Sequence, residues 1–84
     1  MGIGKLKILY LSFYNLIINR YGLNNYITRK ELHCELGKHF VVPKLLRDKV
    51  ILECRSINIL TKQDKKNYII LKNQDLLNEI CNSF

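Results

Sequence analysis

The side chains of this sequence that could do chemistry are mostly cations, and they fall into groups. Arg29 and Lys30 stand side by side, and Lys38 and His39 form a second pair. Lys44, Arg47 and Arg55 recur through one stretch with Asp48 and Ile51 among them, and Lys62, Lys65 and Lys66 put three lysines into five residues. Guanidinium groups fork onto paired oxygens and ammonium groups act as point charges, so such clusters suit anion recognition. Catalysis has far less support. His33 lies beside Arg29 and Lys30 rather than a nucleophile, no glycine-rich phosphate loop occurs, and apart from Glu31 the acidic residues are scattered. No enzymatic role, cofactor or small-molecule ligand is therefore expected. Cys34, Cys54 and Cys81 lie 20 and 27 residues apart, which leaves no Cys-x-x-Cys pair and an odd thiol after any one disulfide. Free thiols are the simplest reading, with Cys34 and Cys54 packed as small apolar residues. A metal site built from Cys34, His33 and His39 is not expected, because adjacent residues on a helix diverge by about 100°.

A chain of 84 residues with 48% hydrophobic content has room for one domain, 1–84, around one small core. Its 14 Lys and Arg against 7 Asp and Glu give a formal charge of +7, a positive field that attracts polyanions, nucleic acid first among them. RNA is the weaker candidate, since half of the tyrosines and phenylalanines (Tyr10, Phe13, Tyr14 and Tyr21) fall in the first helix and not on a sheet where bases could stack. Ile8 to Ile18 is apolar apart from Ser12 and Asn15 and follows Lys5 and Lys7, a superficial likeness to a signal peptide. It lacks a small-residue cleavage site, is shorter than the roughly 20 apolar residues that span a bilayer, and is preceded by Leu6 where N-myristoylation takes Ser or Thr. The expectation is a soluble cytoplasmic, nucleoid-associated protein with no membrane partner.

The elements that must position the cations can be read from periodicity and punctuation. A first helix is predicted over about 5–21, ended by Gly22. On it Leu6, Leu9, Tyr10, Phe13, Leu16, Ile17 and Tyr21 share a face, and Leu11, Tyr14 and Ile18 widen it to an apolar arc of roughly 220°, against the roughly 100° that one core requires. Tyr26-Ile27 suits a very short strand. Thr28 with Glu31 three residues on forms a capping box, so a second helix should run over about 29–36 with Leu32 and Leu36 inward and Gly37 closing it. Pro43 opens a third helix over about 43–56 that turns Leu46, Val50 and Cys54 inward. A hairpin over about 57–72 carries the lysine-rich loop, and Asn73 caps a last helix over about 74–82 that buries Leu76, Leu77 and Ile80.

Asn58-Ile59-Leu60-Thr61-Lys62 matches the phrase that follows the recognition helix of winged helix-turn-helix proteins, where a glycine precedes two apolar residues and then polar ones. Asn58 is among the few residues that tolerate the positive φ which glycine serves there. With the helix pair, the cationic hairpin tip and the returning strand Tyr68-Ile69-Ile70-Leu71, the chain resembles the winged helix-turn-helix DNA-binding family of small archaeal, bacterial and viral transcriptional regulators. The resemblance implies a mainly α fold with a small β-hairpin (α+β): a three-helix core plus wing and a C-terminal helix. One departure stands out. Gly37 to Asn58 spans 21 residues, about one helical turn more than common versions carry, so the register of the third helix is open.

The function so implied is sequence-specific binding of double-stranded DNA by a homodimeric transcriptional regulator. The third helix would enter the major groove with Lys44, Arg47, Asp48 and Ile51 reading base edges. Arg29, Lys30, Lys38, His39, Arg55, Lys62, Lys65 and Lys66 would hold the DNA backbone. Dimers in the family often form outside the recognition unit, so the excess arc of the first helix, Leu11, Tyr14 and Ile18, is expected to bury against a second copy, the alternative being enclosure by the rest of the domain, including the C-terminal helix. The alternative is a winged-helix protein–protein interaction module in a larger nucleic-acid-associated assembly, which Leu45, Ile51 and Leu52 would serve as residues outside the core stripe of the third helix.

Overall fold

In a computed structural model the chain is described over residues 3–83, and its side chains over 8–82, so the expectation for Leu6 lies outside the described residues. Its elements are α1 (Ile3–Tyr21), β1 (Tyr26–Thr28), α2 (Arg29–His39), α3 (Lys44–Ser56), β2 (Leu60–Lys62), β3 (Asn67–Ile70) and α4 (Gln74–Ser83). Local chemistry sets most boundaries. Gly22, at φ 89°, donates its N–H to the Ile18 carbonyl at 2.9 Å and ends α1. The capping box is present at α2, where the Glu31 N–H reaches Thr28 Oγ1 at 3.1 Å and the Thr28 N–H reaches Glu31 Oε1 at 2.9 Å. Asn58 sits at φ 62° beyond α3, and Asn73 Oδ1 accepts the Leu76 N–H at 3.2 Å to start α4.

The strands form one antiparallel sheet in the order β1-β3-β2, so the expected hairpin gains a third strand. Ile27 faces Tyr68 across one edge and Leu60 faces Ile70 across the other, and Ile27, Tyr68, Leu60 and Ile70 are all buried. On this layer rest the helices. Phe13, Ile17, Leu32, Leu36, Cys54 and Ile59 are fully enclosed, and each such side chain stabilises by about 1.5–3 kcal/mol relative to exposure.

Packing overturns four expectations. Leu11 and Tyr14 are interior residues of the single chain, 5% and 0% exposed, and Ile18 packs against the same core, so these three residues do not form a free face for a partner. The cause is α4 and its lead-in: Tyr14 Oη donates to the Leu71 carbonyl and accepts the Asn73 N–H at 2.8 Å, tying α1 to the β3–α4 junction. Second, α2 does not stop at Gly37 but runs to His39, which absorbs the extra turn and places Lys38 and His39 in its last turn. Gly37 serves packing instead, because a Cβ there would collide with the Arg47 guanidinium. Third, α3 is rotated from the expected phase: Leu46 is 50% exposed while Ile51 is 2% exposed. Fourth, Cys34 is exposed, whereas Cys54 is buried and its thiol is pushed up to about 12 by burial. Between α2 and α3 the chain turns through Val41 at φ 53°, an uncommon conformation for a β-branched residue. No described helix is long and apolar enough to cross a membrane.

Candidate nucleic-acid interface

A cleft of about 750 Å³ separates the first turn of α2 from the β2–β3 loop, lined by Thr28, Arg29, Lys30, His33, Lys65, Lys66 and Asn67. Sheet pairing brings its two walls together. Thr28 pairs with Asn67 in the β1–β3 register, and the Arg29 N–H then donates to the Lys66 carbonyl at 2.8 Å. Within the loop the Asp64 carboxylate accepts the N–H groups of Lys66 at 2.8 Å and Asn67 at 2.9 Å and the Asn67 side-chain amide at 3.0 Å. These bonds, the Asn67 amide first, hold the Asp64 carboxyl below its usual range. The one acid of the loop, itself exposed, is thus bonded within the loop, beside the exposed Lys65 and Lys66.

Asp48 of α3 is similarly occupied. Its carboxylate takes Arg29 Nη2 at 2.7 Å and Nε at 3.1 Å, and lies 2.8 Å from His33 Nε2. The Arg29 hydrogen bonds, followed by the one to His33, keep its carboxyl below the ordinary value. The pair joins α2 to α3 and offsets part of the cleft's charge. At 60% side-chain exposure of Asp48 it is worth little as stability.

The four expected base readers therefore have different fates. Ile51 is in the core, which corrects its assignment to the groove face: α3 packs on Val50, Ile51 and Cys54, and the apolar Ile51 takes the inward place expected of Leu46. Arg47 is a strut between α2 and α3, with Nε donating to the Val42 carbonyl at 2.9 Å and the guanidinium laid over Gly37. Asp48 is held by Arg29 and His33. Lys44 alone of the four is exposed with no bonded partner among the described residues. Of the backbone set, Arg29, Lys30, Lys65 and Lys66 converge on the cleft. Lys38, His39, Arg55 and Lys62 are exposed outside its lining, His39 with Nε2 3.9 Å from Glu35.

Sequence reasoning missed His33, Thr28 and Asn67 as lining residues. The four-residue spacing from Arg29 does place His33 on the right face, and its imidazole there meets Asp48. It also missed Glu35, 3% exposed and 3.0 Å from Arg20 Nε, an ion pair that joins α1 to α2 and that no local pattern announces. The outer face of α3 differs from the cleft: Leu45 is 94% and Leu52 55% exposed, beside a groove of about 510 Å³ whose walls include Leu9, Val41, Leu46 and Glu53.

No protein-family model, no curated protein and no solved structure matches this chain.

Proposed function

We propose that the protein binds duplex DNA through the cleft between α2 and the β2–β3 loop, as a winged helix-turn-helix protein acting in transcriptional regulation. The observation that carries this is the convergence of Arg29, Lys30, His33, Lys65 and Lys66 on one open cleft, with the only loop acid bonded to its own backbone. The order helix, strand, two helices and a two-stranded return supports the fold reading. Phosphate contacts dominate in this arrangement, since Lys44 is the one expected base reader left free, and selectivity between sequences is correspondingly modest.

Fluorescence anisotropy of a labelled duplex across a salt series tests the reading. Each neutralised phosphate contributes about 0.9 to the slope of log affinity against log salt, so Lys30, Lys65 and Lys66, with Arg29 held by Asp48, together imply a slope of about −2 to −3. Lys65→Ala with Lys66→Ala should reduce the slope by about 2 and weaken all duplexes alike. Absence of binding at low salt would remove the DNA reading. A second reading, a module that docks on protein, is favoured by the exposed Leu45 and Leu52 on α3, where a base-reading helix would offer polar groups.

A further inference from the structure

The outward face of α3 combines exposed leucines with charges of both signs, in a chain whose net charge of +7 repels its own copies over most other approaches. At about 100° per residue Leu45 and Leu52 mark the outward line of the helix. Asp48 and Arg55 flank that line on the side of α2, where Asp48 meets Arg29 and His33. Lys49 and Glu53 flank it on the side of α1, where both line the groove with Leu9 and Tyr10. Neither Lys49 nor Glu53 has an ion-pair partner among the described residues.

We propose that this face of α3 is the contact between two copies of the chain, with the helices packed antiparallel about a twofold axis. In such a pair each flank meets the same flank of the other copy. Centred between positions 51 and 52 of the helix, the pairing sets Lys49 opposite Glu53 of the second copy and Asp48 opposite its Arg55, twice each, with no like charges opposed. The leucines lie between these two rows. Val41, 82% exposed and held at positive φ, stands at the groove beside the same face, so covering this region removes from water a side chain that its own chain leaves uncovered. The symmetry also leaves both cationic clefts on one side of the pair. The pairing stands whether or not those clefts take DNA.

Light scattering and sedimentation of the full chain in about 0.15 M salt should give a dimer at tens of micromolar, and charge reversal should then dissect it. Lys49→Glu alone opposes Glu53 of the second copy, and Glu53→Lys alone opposes Lys49, so each should weaken association by about tenfold or more. The doubly reversed chain, and an equimolar mixture of the two single variants, should recover near wild-type association. All these positions are on the surface, so circular dichroism should show unchanged helix content. A wild-type monomer at high micromolar concentration would overturn the proposal. So would singles that associate as wild type does, or a double reversal that stays as weak as the singles, the result expected of a parallel pair.

Discussion

The cleft and the outer face of α3 adjoin each other through Asp48, yet the fold has treated them oppositely. In the cleft, cations from α2 and from the β2–β3 loop are gathered and the loop's acid is bonded within the loop. On α3, Arg47 is withdrawn into a strut, Asp48 into a pair with Arg29, and leucines are left outside. Charges that look alike along the chain become available only after packing has taken those it needs. An arginine near a backbone carbonyl it can reach is the first to be used, because its planar fork bonds without losing much further freedom. A loop lysine is the last.

The sharpest way to break this comparison is to test which residues of α3 face inward. At submicromolar concentration, where the chain is monomeric, Ile51→Ala removes a side chain that is 2% exposed and should cost about 2–5 kcal/mol in urea unfolding, whereas Leu45→Ala, at 94% exposed, should change stability by less than about 0.5 kcal/mol. Similar costs for the two would mean that α3 packs in the phase expected from the chain alone, with the groove-facing set restored.

A smaller effect separates Arg47 as strut from Arg47 as reader. Arg47→Ala should cost about 1–2 kcal/mol through the lost bond to the Val42 carbonyl, and should leave the discrimination between duplexes unchanged. Gly37→Ala then completes a cycle. In the wild type the new methyl displaces the guanidinium, which offsets the gain in helix propensity. In the Arg47→Ala background the same change should stabilise by about 0.5–1 kcal/mol. Equal effects in both backgrounds would show that the guanidinium does not rest on Gly37.

What was legible in the sequence follows the same division. Thr28 with Glu31, Gly22, Asn58 and Asn73 act within a few residues, and each ends or starts an element where its chemistry requires. The cations of the cleft were legible as charges, since Lys65 and Lys66 need only remain outside. The end of α2 and the rotation of α3 were not legible, and the enclosure of α1 was legible only as one of two ways to cover its wide apolar arc, because each depends on a group distant in the chain. Arg47 decides what Gly37 does, and Asn73 and Leu71 decide that Tyr14 is interior. Leu46 and Ile51 are both apolar and lie five apart, so periodicity alone could not say which would be buried.

The smallest effect bears on Asp48, where the two regions meet. Asp48→Asn should lower stability by no more than about 1 kcal/mol, since the pair with Arg29 is exposed and screened. Because the folded carboxyl is held below its ordinary value of 3.8, its contribution is complete above that pH and is lost as pH falls through the lower folded value. The difference between wild type and variant in urea should therefore be constant from neutral pH down to about 5 and shrink below 4. DNA should report the opposite sign. Removing the carboxylate charge frees Arg29 for phosphate, so the variant should bind duplex more tightly, with a salt slope steeper by up to about 1. Weaker binding by Asp48→Asn would instead mean that the carboxylate aims Arg29 at the duplex, and that the cleft works with its acid in place.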